Sequence, residues 1–345
     1  MAYAVRFSRY GDPDVLEVVE IDDPIPGTGE VVVRVMAAGL NPVESAIREG
    51  RFADTWPATF PAGQGSDFAG LIAAVGPGVA EWRVDDPVLG HTVRGSHATH
   101  VAVPAQNILR KPARVSWEVA GSLFVAASIA WKAVRAADPR PGKTVLVHAA
   151  AGGVGCIASQ LARLEGARVV GTASPTSFDY LRQWGVIPVA YGPGLEDRLA
   201  ELVPAGIDAE LEHVGDVSLA NVDSTDIHAL EVVADLVADR KIVVPIAAIY
   251  PLSKVQDAYR ELEAGHAHGK VVLSMDPVEY RRQKVRGIDM RETEATRDDP
   301  SRIPGPPAHE VLPPVFGHLR HHDRHKDEST DDGGPPVRTS PPRAM

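Results

Sequence analysis

Thr144-Val-Leu-Val-His148, followed by Ala149-Ala-Ala-Gly152-Gly-Val-Gly155, limits what this chain can fold into more than any other stretch. The first half is the continuous apolar run expected of a strand buried on both faces. The second half is an A-x-x-G-x-x-G turn that leads into a helix over Cys156–Leu164. A turn free of bulky side chains lets backbone N–H groups reach a pyrophosphate at the helix N-terminus. Gly152 and Gly153 supply that close approach, Gly155 lets the helix pack on the sheet, and Ala149 and Val154 complete the turn. A turn with no ligand is the competing reading. It is disfavoured because three glycines in four positions weaken a helix start unless something must come close.

The flanks give the context that such a motif requires. Alternation predicts helix 118–136, strand 144–148, helix 156–165, strand 168–172, helix 176–184, strand 187–191, helix 195–203 and strand 207–214. Strands alternating with helices at this spacing make a parallel, doubly wound sheet. Residues 1–115 are punctuated by Gly and Pro instead. They read as strands 2–9, 30–38, 67–75 and 96–103 with a brief helix at 42–49, a mostly β domain. A β-α-β piece closes the ordered part, with strands 242–250 and 270–275 around helix 252–264.

The second strand of the doubly wound unit ends Gly171-Thr-Ala-Ser174, with no carboxylate. NAD sites usually place an acid there to hold the ribose hydroxyls. Ser174 tolerates a 2′-phosphate and can donate to it, which favours NADPH. No cation is obvious nearby, since Arg182 lies two helical turns along. Cys156, the sole cysteine, excludes an internal disulfide and a multi-cysteine zinc site, and reads as a small core filler.

The net charge of −11 argues against a nucleic-acid or anionic-membrane partner. The longest uncharged apolar stretch, Gly121 to Trp131, falls short of the ~18 residues of a membrane span. No signal-peptide core opens the chain, so a cytoplasmic location is expected. After Met275 the composition changes: residues 277–345 hold 11 of the 29 prolines and few large apolar residues. Such a segment cannot offset its ordering entropy and is predicted to be a disordered tail. His318, His321, His322 and His325 within it read as a solvated run rather than a metal site.

Gly39-Leu-Asn-Pro-Val-Glu44, Gly65-Ser-Asp-Phe-Ala-Gly70, Val75-Gly-Pro-Gly-Val79, His148–Gly155 and Gly269-Lys-Val-Val-Leu273 follow one another across residues 1–276. In this combination the chain resembles the zinc-free quinone oxidoreductase and enoyl reductase branch of the medium-chain dehydrogenase/reductase superfamily. The resemblance implies an α/β fold: a GroES-like, mostly-β catalytic domain (1–116 and 246–276) and a Rossmann sheet (117–245). It also implies metal-free hydride transfer from NADPH to a quinone or an α,β-unsaturated carbonyl, because Asn41 or a neighbour stands where zinc enzymes carry a cysteine ligand. By the same resemblance Asn41 lies beside the nicotinamide, Glu44 replaces the more usual Asp, and Ile129 replaces a Thr near the carboxamide. Ser174 matches the 2′-phosphate contact and Tyr191 a tyrosine near the adenosine phosphate. Phe52 and Asp85 stand where relatives more often have Tyr and Gly.

One part of the pattern is missing. Beyond Val214-Gly215 a full Rossmann sheet needs on the order of 40 further residues for two helices and two strands. Only residues 215–240 precede the next apolar strand, and they read as a single helix over 226–238. The domain is therefore expected to be shortened after 215, by a natural deletion or by an error in the reading of the gene. Relatives are commonly dimers, yet the sixth strand, often the dimer seam, is lost with this region. An impaired or non-catalytic nucleotide-binding remnant is the alternative reading. A metal-dependent reading would rest on His91, His97 and His100, but residues 97 and 100 of one strand would face opposite ways.

Overall fold

The computed structural model describes residues 1–212 and 227–275. The tail expected over 277–345, its histidines, and residues 213–226 lie outside the described residues. In chain order the elements are β1 (Ala2–Phe7), β2 (Glu17–Ile21), β3 (Glu30–Gly39), α1 (Pro42–Arg48), β4 (Ala62–Gly63), β5 (Asp67–Val75), β6 (Pro87–His91), β7 (His100–Pro104) and β8 (Ile108–Arg110). There follow α2 (Trp117–Ala120), α3 (Phe124–Ala137), β9 (Thr144–Val147), α4 (Gly153–Leu164), β10 (Arg168–Ala173), α5 (Phe178–Gln183), β11 (Ile187–Ala190), α6 (Leu195–Leu202) and β12 (Ala209–Leu211). The last are α7 (Ile227–Ala238), β13 (Ile246–Pro251), α8 (Val255–Glu263) and β14 (Lys270–Ser274).

Three sheets organise these elements: β2-β1-β4, the parallel β11-β10-β9-β12, and β13-β14-β3-β5-β6-β8 with β7 also paired to β3. The fold is thus a GroES-like β unit joined to a Rossmann-like sheet. β13 and β14 run parallel around α8, and β14 pairs antiparallel with β3, Val272 opposite Gly39. The last two described strands therefore close the sheet that β3 begins. In the parallel sheet the chain passes from β9 outward to β10 and β11, then returns to the other side of β9 with β12. Ligands of open α/β sheets bind at the strand carboxyl ends beside such a reversal.

Burial follows the pleat. Val145 and Val147 of β9 face a core built with α3, α4 and α7. Leu146, between them, faces Val170, Val189, Val203 and the apolar side of α6 on the opposite face. This sheet has four strands among the described residues, and fourteen residues separate Glu212 from the start of α7.

Three expectations change. The helix expected over 118–136 is two helices, because β3 passes too close for a continuous one. A Cβ on Gly121 would lie 2.4 Å from the Ala37 carbonyl, and one on Gly39 would lie 2.6 Å from Ser122 Cα. The strand expected over 242–250 begins only at Ile246. The Gln160 amide takes both backbone groups of Val243, donating to its carbonyl (2.8 Å) and accepting from its N–H (2.8 Å), so Ile242 and Val244 are buried and Val243 points outward without a ladder. Residues 96–99 are not part of β7 either. They cross to the small sheet, where Val5 N–H donates to the His97 carbonyl and Thr99 N–H to that of Tyr3. Asp85, where relatives more often have Gly, has φ +69°, a left-handed conformation that Asp tolerates better than most side chains.

Candidate functional site

The turn after β9 is held from below. Ala149, at φ +46°, donates its N–H to Thr172 Oγ1 (3.0 Å), and Ala150 donates to the Thr172 carbonyl (2.9 Å). Gly152 N–H closes the turn on the Ala149 carbonyl (2.9 Å), and α4 begins at Gly153. The three glycines have different surroundings. A Cβ on Gly155 would lie 2.2 Å from the Ala149 carbonyl oxygen, so this glycine is required by the fold itself. A Cβ on Gly152 would meet only the Ala149 oxygen, at 3.3 Å. Gly153 faces the stem of Lys270, whose Cδ would be 2.8 Å from an added Cβ. The first N–H groups of a helix lack intrahelical acceptors, so this open turn can cradle an anionic group.

At the end of β10, Ser174 caps the following turn by accepting from Thr176 N–H (3.3 Å) and also bonds the Thr176 hydroxyl. Tyr191 follows β11 and is 61% exposed. Arg182 is committed to its own helix, paired with Asp179 at 2.7 Å. Ile129 is half-buried on α3. Cys156 is buried, and burial pushes its thiol up to about 12, far from a reactive thiolate.

The second half of the site is a buried polar cluster that gathers α1, β5, α8 and β14. Asn41 caps α1, with Pro42 in the first turn, and its N–H donates to Glu44 Oε2 (3.0 Å). Its Nδ2 donates to Glu44 Oε1 (3.1 Å) and Asp67 Oδ2 (3.2 Å), while its Oδ1 accepts from Lys270 Nζ (2.5 Å). Lys270 also donates to the Leu40 carbonyl (3.1 Å) and lies 3.8 Å from Asp67 Oδ2. Asp67 Oδ1 accepts from Val125 N–H (3.0 Å), so one carboxylate ties this cluster to the first turn of α3. Burial pushes Asp67 up to about 6. The Lys270 charge and the bonds from Val125 and Asn41 oppose that rise, and Glu44 adds to it.

Behind this layer, Tyr259 OH donates to Glu44 Oε2 (2.8 Å) and accepts from Gln64 Nε2 (2.9 Å). Burial, with Glu44 next to it, raises the Tyr259 phenol well above its ordinary range. Arg48 stacks over the Tyr259 ring at 5.3 Å, donates to the Gly11 carbonyl (2.9 Å) and pairs with Glu263 (2.8 Å). His97 Nε2 lies 3.1 Å from the Gly39 carbonyl, which makes it the protonated ring nitrogen, and burial lowers its pKa. Tyr259→Phe is expected to destabilise the protein by about 1–3 kcal/mol, since Glu44 loses a donor without gaining space for water. Urea unfolding measures this; a loss below about 0.5 kcal/mol would mean the phenol bond carries no net weight.

The histidines do not converge. His91 stacks on Phe124 at 3.9 Å and burial lowers it to about 4, while half-exposed His100 contacts Thr99. Among the described residues no group of three or more His, Cys, Asp or Glu side chains is arranged to hold a metal ion. No helix among them is long and apolar enough to cross a membrane.

Asn41 and Glu44 meet as neighbours in the cluster, and the residues of the 149–155 turn meet at the carboxyl end of β9. Asp67, Lys270, Gln64, Tyr259 and Thr172 carried no role in the sequence reading, although Asp67 and Lys270 lie within stretches that defined the resemblance.

Residues 27–113 match the alcohol dehydrogenase GroES-like domain family and residues 147–273 the zinc-binding dehydrogenase family. Human quinone oxidoreductase is 34% identical over 173 residues, 49% of this chain and 52% of that protein. The chain thus spans about half the length of the curated relatives it matches. Among solved structures, the quinone oxidoreductase of Coxiella burnetii superposes with a TM-score of 0.70 at 25% identity, covering 80% of this chain and 99% of its own. A mycobacterial protein complexed with NADPH superposes at 0.69 with 28% identity, covering 79% and 99%.

Proposed function

Because this chain belongs to the medium-chain dehydrogenase/reductase superfamily, we propose that it is a zinc-independent, NADPH-dependent reductase of quinones or α,β-unsaturated carbonyls. The observation that carries the reading is the 149–155 turn. Its Gly152, where a Cβ would meet only the Ala149 carbonyl oxygen, precedes a twelve-residue helix beside the reversal of strand order. Backbone N–H groups of Gly153, Val154 and Gly155, in the first turn of the helix, would hold the pyrophosphate. Ser174 would donate to the 2′-phosphate, and exposed Tyr191 would lie along the adenosine. No carboxylate stands at the end of β10 to repel that phosphate. When bound, NADPH supplies the hydride.

The remaining work falls to this chain's residues. Asn41 and Glu44, held from behind by Tyr259, form a fixed floor opposite the turn, so that an acceptor meets a preorganised wall. Val125 N–H on Asp67 holds the start of α3, the helix that carries Ile129, against that floor. Ile129 offers no hydroxyl, which leaves the carboxamide to be held by backbone groups.

Fluorescence titration tests the cofactor assignment. NADPH is expected to bind with an affinity on the order of micromolar, more tightly than NADH. Tighter binding of NADH would overturn the choice, and no binding of either would overturn the site. Oxidation of NADPH by quinones and enones, in chelator-treated protein, then tests the reaction. The fourteen residues between Glu212 and α7 favour a second reading, a nucleotide-binding remnant, in which NADPH binds but no acceptor is reduced.

A further inference from the structure

We infer that Lys270 is the positioning residue of this site: its ammonium holds the Asn41 carboxamide and the Asp67 carboxylate in one arrangement, while its stem against Gly153 sets how closely the dinucleotide turn approaches them. The inference rests on the proposed reductase reading and deepens it. Lys270 begins β14, so its backbone belongs to the sheet that β14 shares with β3. Its side chain is buried and spans both halves of the site. The stem passes where a Cβ of Gly153 would be, and the ammonium ends on Leu40, Asn41 and the side of Asp67. Two residues earlier, His268 Nε2 bonds Ser177 Oγ (3.0 Å), three residues beyond Ser174. The segment 268–270 therefore touches the regions proposed to hold both ends of the dinucleotide.

The charge is placed to keep Asp67 an acceptor. Asp67 must accept twice, from Asn41 Nδ2 and from Val125 N–H, and only the ionised carboxylate does so without turning one oxygen into a donor. The charges that act on it are Lys270 and Glu44, with His91 opposite it on β6; His97 faces Glu44 and Lys270, Arg48 lies behind on Tyr259, and Cys156 lies near Lys270 on α4. Among the groups shifting Asp67, Lys270 is the charge that favours ionisation and Glu44 the one that opposes it. Removing the ammonium raises Asp67 further, so the arrangement around Asn41 loses an acceptor at a higher pH.

The test is Lys270→Met, which keeps most of the stem, beside Lys270→Ala, which removes it. With NADPH and an accepting quinone, Lys270→Met is expected to lower kcat about tenfold or more with KM for NADPH within about threefold of wild type. The acid limb of its kcat profile moves up by about one pH unit. Lys270→Ala is expected to weaken NADPH binding as well. An Asp raised in the fold contributes stability that is present at low pH and lost as pH rises through its folded value. The melting temperature of cofactor-free Lys270→Met should therefore fall further below wild type at pH 8 than at pH 5. A filler role for the stem would give a deficit independent of pH and an unmoved acid limb, and either result overturns the inference. Wild-type protein that reduces no acceptor overturns the reductase reading and the role together, whereas an active wild type matched by Lys270→Met overturns the role alone.

Discussion

Gly152→Val is expected to weaken NADPH binding by about a hundredfold or more while the protein still melts cooperatively near the wild-type temperature. The backbone at Gly152 has φ −79° and ψ 175°, an extended conformation that valine adopts without strain. A Cβ there meets only the Ala149 carbonyl oxygen at 3.3 Å, and the closing bond from Gly152 N–H to that carbonyl needs no side chain. The fold thus asks a side chain at 152 for a few tenths of an ångström from one carbonyl, far less than at Gly155, and the larger obstacle would be the pyrophosphate itself. Gly155 is the contrast, because its missing Cβ leaves 2.2 Å to a carbonyl oxygen and even alanine would force the turn apart. Titrations of wild type and Gly152→Val with NADPH, beside their melting curves, separate the two roles. If the variant bound NADPH as tightly as the parent, the cofactor would not lie over this turn.

That contrast marks how far the sequence could be read. The apolar run before Ala149, the glycines and the helix after them are local signals, and they placed the turn and its neighbouring elements within a few residues. Asp67 and Lys270 were opaque for the opposite reason. A lone Asp or Lys reads as a solvated charge, and their burial is produced by α1, β5, α3 and β14, which meet only in the folded chain. Tyr259, 215 residues from its acceptor Glu44, gave no local sign of its bond. The break between α2 and α3 was hidden likewise, since Gly121 within an apolar helical run does not announce that the Ala37 carbonyl lies against it. The apolar run Ile242–Val244 looks like strand because side-chain pattern is silent about backbone partners, which a glutamine supplied. Short strands such as β2, β6 and β8 were missed because their pairing, more than their composition, makes them strands.

Trp131→Ala is expected to destabilise the protein by about 3–5 kcal/mol, the cost of emptying a large buried aromatic site. Trp131 is 1% exposed on α3, within the core that α3 shares with α4, α7 and the inner face of β9. Its ring meets His228 of α7 edge-on, with centroids 5.9 Å apart. α7 packs on α3 within this core, so removing the ring takes away a contact that the two helices share. A whole domain has on the order of 5–15 kcal/mol to lose, so the variant should sit close to its unfolding threshold at growth temperature. The effect should reach the site, because α3 also donates Val125 N–H to Asp67 and carries Ile129. NADPH should therefore restore part of the lost stability, as any ligand that binds only the folded state does. Urea unfolding with and without NADPH measures both. A loss under about 1 kcal/mol would show that the core collapses around the vacancy and that α7 is held by contacts other than this ring.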